Sequence, residues 1–90
     1  MYQIRVTSRF KKDIKAAQKR GRDLSLLKSV IARLSRGETL PPKFRDHALT
    51  GEWADFRECH ITPDWLLIYH IEKDILVLTL VRNGTHSDLF

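Results

Sequence analysis

Ninety residues, 42% hydrophobic and 30% charged, are the length and composition of one small globular domain and exclude a disordered tail or a collagen-like fibre. The lone Cys59 excludes an internal disulfide framework, no apolar run nears the ~20 residues that cross a bilayer, and the opening MYQIRVTSRFKKD lacks an apolar signal segment, so a cytoplasmic domain with no membrane partner is expected. The net charge of +5 is divided: thirteen Lys and Arg against three acids give +10 in residues 1–45, and three against eight give −5 in residues 46–90, an oriented field suited to nucleic acid.

Residues 2–7 alternate, with Tyr2, Ile4 and Val6 on one side, as in a half-buried strand. Thr7 and Ser8 offer caps for a helix in which Phe10, Ile14 and Ala17 recur at helical spacing while Lys11, Lys12, Lys15 and Lys19 turn away. Gly21 ends that helix. Asp23 caps a second one with the stripe Leu24, Leu27, Ile31 and Leu34, which Gly37 closes. The short link between them predicts a helical hairpin. From Glu38 to Glu52, Leu40-Pro41-Pro42 blocks regular structure and no period is visible. Three strand-like runs follow: Trp53–Ile61 alternates, Trp65–Ile71 is almost wholly apolar, and Ile75–Arg82 is apolar and β-branched. Thr62-Pro63-Asp64 separates the first pair, and Lys73-Asp74 is read as a tight turn between the second. The expected fold class is α+β in the order βααβββ, a single domain over residues 1–90. Its helical hairpin packs on a small antiparallel sheet, one face of which stays partly open.

Chemistry-bearing side chains gather in the second half. His47, His60 and His86 lie in loops or at strand ends, and the two-residue strand period puts Glu58 and His60 on one face with Phe56. The same arithmetic aligns Leu76, Leu78, Leu80 and Arg82, so a cation closes an apolar row. Asn83-Gly84-Thr85 is a turn that can return His86 beside Arg82. His70, inside an apolar run, reads as a core residue, and Cys59 as a small buried hydrophobe. No short-spaced ligand pair supports a zinc site, so neither metal nor cofactor is expected. Trp53 and Trp65 read as packing residues, although Trp65 beside Asp64 is also placed to stack on a base. Imidazoles titrate near neutrality and can take a proton from a hydroxyl and return one to a leaving oxygen, and a guanidinium suits the charge of a pentacoordinate phosphate. RNA carries its own nucleophile, the 2′-OH, and these residues fit its cleavage better than acyl or hydride transfer.

The segments Phe44-Arg45-Asp46-His47, Leu49-Thr50-Gly51-Glu52-Trp53, RECHITPDWLLIY from Arg57 to Tyr69 and RNGTHSDLF from Arg82 to Phe90 together resemble the YafQ-type branch of the RelE/ParE toxin superfamily. Phe10-Lys11-Lys12-Asp13 and Ala17-Gln18-Lys19-Arg20-Gly21 extend the likeness over nearly the whole chain. The resemblance implies a RelE-like microbial RNase fold and a ribosome-dependent endoribonuclease that cuts mRNA in the ribosomal A site. It also implies a cognate antitoxin, DNA-binding and wrapping the basic toxin with an acidic segment, in a toxin–antitoxin hetero-oligomer. By match, His47, His60, Asp64 and His86 fall on the family's catalytic positions, Arg82 on its phosphate-contacting cation and Phe90 on its C-terminal aromatic. Where some relatives carry Asp two residues before the middle histidine, this chain has Glu58, which reaches one methylene further.

On that basis His86 is the expected general acid, and His60 and Asp64 are candidates for general base with Glu58 orienting them. His47 would position the nucleotide or share a proton, and Arg82 would stabilise the phosphorane. Lys11, Lys12, Lys15, Lys19 and Arg20, with Trp65 and Phe90, form the expected RNA- and ribosome-binding set. A ParE-like inhibitor of DNA gyrase is the rival reading, since it needs the fold but not the histidines, and a plain RNA-binding module is the third. Reversing Lys11, Lys12 and Lys15 to Glu should weaken ribosome association and flatten its dependence on salt, measured by co-sedimentation across a salt series. Unchanged binding and slope would remove that surface from consideration.

Overall fold

The computed structural model describes all 90 residues, and its elements run β1 (Gln3–Val6), α1 (Ser8–Lys19), α2 (Leu24–Ser35), β2 (His47–Ala48), β3 (Arg57–Thr62), β4 (Trp65–Glu72), β5 (Val77–Gly84) and α3 (His86–Leu89). Both long helices start where the caps predict. Thr7 keeps an extended backbone while its Oγ1 accepts from the Phe10 amide at 3.0 Å, and Asp23 accepts from the Ser25 amide at 2.9 Å. Helix α1 buries Phe10 and Ala17 against β5, and α2 buries Leu27, Val30 and Leu34 on the β3 side.

The sheet order is β1-β5-β4-β3-β2, with β1 parallel to β5 and every other pair antiparallel. Central β4 is buried on both faces from Trp65 to Tyr69, which is why its sequence shows no alternation. Leu67 and Tyr69 face the helices with Cys59, Leu78 and Leu80. Leu66 and Ile68 form a smaller cluster on the opposite face with Leu89, flanked by Trp53, Phe56 and Val81.

Several boundaries differ from the sequence expectation, each for a physical reason. Ile4 and Val6 lie in register with Leu78 and Leu80 but stay 43% and 40% exposed, because β1 is an edge strand. The segment expected to be irregular holds the two-residue strand β2, where His47 pairs with Glu58 and Ala48 with Arg57. Two residues carry no readable period. The run from Trp53 becomes a strand only at Arg57: Gly51–Trp53 forms a 3₁₀ turn, and Trp53 and Phe56 pack edge to face.

The β4–β5 connection is not a tight Lys73-Asp74 turn either. It takes four residues, 73–76, with Leu76 at φ 54° and half exposed, so β5 begins at Val77. Further on, Tyr69 pairs with Leu80 and Ile68 with Arg82, leaving Val81 as an extra residue in β5. This bulge takes Arg82 out of the Leu78–Leu80 row.

Leu67 is fully buried, whereas Leu26 is 44% exposed on α2. Leu67→Ala should therefore cost about 2–5 kcal/mol and Leu26→Ala well under about 1 kcal/mol, read from urea unfolding midpoints.

Candidate active site

Strands β2 and β3 build the first half of the site. His47 stands opposite Glu58 in the β2–β3 ladder, and His60 follows Glu58 on the same face two residues on. Their partners on β4 are Ile68 and Leu66, members of the cluster turned away from α1 and α2, so Glu58 and His60 point to the sheet face that the long helices leave open. The Pro63-Asp64 turn adds Asp64 at the β3–β4 end.

The second half comes from the end of the chain. Thr85 caps α3 reciprocally: its Oγ1 accepts from the Asp88 amide at 3.1 Å, and Asp88 Oδ2 accepts from the Thr85 amide at 2.9 Å. Gly84 permits the close approach, since at its φ of 156° a Cβ would stand 3.0 Å from the Asp88 side chain. His86 is thereby fixed as the first residue of α3 and stays exposed.

His47, Glu58, His60, Asp64 and His86 all line one open depression of about 540 Å³. Glu58 is its buried centre at 6% exposure. Its Oε1 lies 3.6 Å from His47 Nε2 and 3.9 Å from His60 Nε2, and the two imidazoles are 6.5 Å apart. His47 Nδ1 sits 2.7 Å from the Arg45 carbonyl. A carbonyl only accepts, so Nδ1 carries the proton and Nε2 is the basic nitrogen of the neutral ring. Asp64 is different. It is well exposed, accepts from the Thr62 hydroxyl at 2.9 Å and faces Arg22 at 3.6 Å. The Thr62 hydrogen bond first, and then the Arg22 charge, hold its carboxyl below the usual range, so it is an ionised and weak base. Phe90 is half exposed, 5.1 Å from the His86 ring and 5.8 Å from Trp53.

Arg82 is not among the residues of this depression. Its Nε and terminal nitrogen donate to the two oxygens of Asp13 on α1 at 3.0 and 2.9 Å, and Asp13 also accepts from the Asn83 amide at 3.1 Å. The bulge at Val81 turns the guanidinium toward α1 instead of the histidines. Trp65 also departs from expectation. At 1% exposure, with Nε1 donating to Asn83 Oδ1, it is a core residue and offers no face to a base. Lys11, Lys12, Lys15 and Lys19 are exposed along α1, whereas Arg20 grips Asp88 at 2.6 and 3.2 Å. His70 Nδ1 donates to the Asp55 carbonyl at 2.7 Å, a structural role away from the depression. Burial pushes the fully buried Cys59 thiol up to about 12, which leaves it protonated and inert.

Three acids escaped the sequence reading. Asp13 sits among lysines and reads as solvated; only its pairing with Arg82 across 69 positions reveals it. Asp46 accepts from the Tyr69 hydroxyl and from Arg57, at 3.4 and 3.2 Å, and so anchors the residue before His47. Asp88 was legible as the T-x-x-D partner of Thr85.

Fold and site together define a small α+β domain that presents an acid–base cluster on the open face of its sheet. Residues 2–90 match the family of bacterial YafQ toxins of type II toxin–antitoxin systems, and the chain belongs to that family. It is similar to the mRNA interferase toxin YafQ of Escherichia coli K12, 39% identical over 88 residues that cover 97% of this chain and 94% of the relative. Among solved structures it resembles a metal-bound toxin from Helicobacter pylori (TM-score 0.93, 48% identity, all of both chains). YafQ in the E. coli DinJ–YafQ complex is likewise similar (TM-score 0.91, 37% identity, 100% of this chain and 99% of that one).

The α3 cap has a consequence in acid. Arg20 and the Thr85 amide hold the Asp88 carboxyl well below its usual range. A depressed carboxyl contributes stability that is complete above the unfolded-state value and is lost as the pH falls toward the folded one. The acid limb of wild-type stability should begin below about pH 5, and Asp88→Asn should flatten it while lowering stability at pH 7. Urea midpoints measured from pH 7 to 2 check both.

Proposed function

We propose that this chain is a ribosome-dependent mRNA interferase that cuts A-site mRNA by attack of a 2′-OH on the adjacent phosphate, arresting translation. The observation that carries the reading is the shared depression that joins His47, Glu58, His60, Asp64 and His86 from β2, β3, the β3–β4 turn and α3. Family membership and the name of the E. coli relative support the substrate class.

The geometry supports the following division of roles. His47, with Nδ1 tied to the Arg45 carbonyl and Nε2 facing Glu58, is built to receive the 2′-OH proton, and His60 is the second imidazole on the same carboxylate. The 2′-oxygen bonds to phosphorus as the bond from phosphorus to the 5′-oxygen breaks. His86, exposed in the same depression, gives that oxygen its proton. The products are a 2′,3′-cyclic phosphate and a 5′-OH, with the proton count of the enzyme restored. Asp64, already ionised, orients rather than abstracts. Arg82 is a positioning residue here: clamped to Asp13, it fixes the strand end from which Thr85 and His86 depart. Phe90 supplies an exposed ring beside His86 on which a base can stack.

A ribosome-held codon is already oriented, which supplies the proximity that so small a surface cannot generate alone. The DinJ–YafQ complexes support a protein antitoxin as the second partner. Two Helicobacter pylori toxin structures are described as copper- or metal-bound; no step is assigned to a metal here.

His86→Gln should lower the single-turnover rate on programmed ribosomes by about 10²–10⁴-fold, the range of a general acid, with 5′-OH ends mapped by primer extension. A wild-type rate in that variant would discard the assignment, and DNA breaks in place of RNA ends would favour the gyrase reading. Wild-type cleavage should persist in a transition-metal chelator that spares magnesium.

A further inference from the structure

A second, smaller cavity of about 180 Å³ lies between the C-terminal half of α1 and the adjoining ends of β4 and β5. Asp13, Arg20, Arg22, Trp65, Arg82 and Asn83 line it. One of these carries a buried hydrogen-bond donor that nothing in the protein uses, and another is a mostly buried cation held only at long range. Asn83 is 2% exposed; its Oδ1 accepts from Trp65 Nε1 at 3.2 Å, but its Nδ2 has no partner. The Arg22 side chain is only 17% exposed, lies over the Trp65 ring at 5.3 Å and comes no closer than 3.6 Å to Asp64, beyond hydrogen-bond reach.

A buried donor without an acceptor is destabilising, so the Asn83 amide marks where an acceptor belongs in this polar cavity. Water would serve the amide alone. The charge decides for an anion: Asp13 neutralises Arg82 and Asp88 neutralises Arg20, both with two hydrogen bonds, which leaves Arg22, 3.6 Å from the exposed Asp64, as the most loosely paired cation. A planar guanidinium and an amide N–H converging on one cavity suit a tetrahedral oxyanion.

The cavity also adjoins the chemistry. Asp64, which faces Arg22, lines the depression, and Gly84, which lines the cavity, leads directly into Thr85 and His86. We propose that this cavity is a subsite for a backbone phosphate of the RNA strand, next to the linkage held among the histidines, with Arg22 and the Asn83 Nδ2 group as its donors. The assignment to RNA rests on the function proposed above; the anion site does not.

Two measurements separate those claims. In the free chain, inorganic phosphate should shift the Asn83 side-chain amide and the Arg22 Nε–H resonances in a saturable way, and chloride at matched ionic strength should not. Arg22→Gln should abolish the shift at Asn83, and Asn83→Asp, which keeps the acceptor for Trp65 and replaces the free donor with a negative charge, should abolish the shift at Arg22 Nε–H. No saturable shift in the wild type overturns the subsite.

On ribosomes programmed with synthetic mRNA, a neutral methylphosphonate at one linkage flanking the cut should lower kcat/KM about tenfold for the wild type. For Arg22→Gln the rate should already be about tenfold lower, with no further loss at that linkage. Multiplying losses at every flanking linkage would overturn the RNA assignment, as would an Arg22→Gln defect confined to antitoxin binding. A chain that binds phosphate at these atoms yet cuts no RNA refutes the proposed function and leaves the anion site standing.

Discussion

The two-residue period of β3, held against a β4 buried on both faces, is the constraint from which the site follows. Cys59 and Ile61 enter the core beneath the helices, and Glu58 and His60 must then face the other way. A slip of one residue would expose the apolar pair and drive the Glu58 carboxylate among Leu67 and Leu78, an unpaired charge in an apolar interior. The apolar side of the strand thus specifies the chemical side. The alternation of β3 sets that register, and β4, apolar on both of its faces, packs Leu66 and Ile68 behind the site.

No sheet ladder fixes His86, which lies beyond the end of β5; α1 does so, acting as a splint. Thr7 donates to the Val81 carbonyl, Asp13 clamps Arg82 and the Asn83 amide, and Arg20 holds Asp88. Asp13 and Arg20 are seven residues apart, two helical turns, so they project from one side of α1 and meet successive points of the β5–α3 segment. The guanidinium of Arg82 is committed to this splint, and the Asp13 hydrogen bonds raise its already high proton affinity further. Its contribution to the site is the position of the neighbouring residues.

What could be read in the sequence was what local physics dictates. The Thr7 and Asp23 caps, the helical stripes and the shared face of Glu58 and His60 all follow from short-range geometry and stand in the structure as expected. The remainder depends on the sheet as a whole. A single inserted residue, Val81, broke the parity arithmetic that had placed Arg82 with the leucines. Strand β2 is too short to show a period, and the burial of Trp65 reflects its place beside α1 and Asn83 of β5, which its own neighbours in sequence do not report. Asp13 is the sharpest case, because its partner lies 69 positions away.

The charge imbalance resolves along chemical lines. Arg20 of the basic half is drawn into a fixed pair with Asp88, so part of the acidic half is consumed in holding the fold around the site. The lysines Lys11, Lys12, Lys15 and Lys19 remain exposed on α1. That division suits the two side chains, since a planar guanidinium holds a geometry and a hydrated ammonium on a flexible stem does not. Attraction of a polyanion over distance therefore falls to the lysines, and salt screens it within a Debye length of about 8 Å under physiological conditions. The short, partly buried pair of Arg82 with Asp13 is screened far less. Ionic strength should thus act on the encounter with RNA while leaving the placement of the histidines intact.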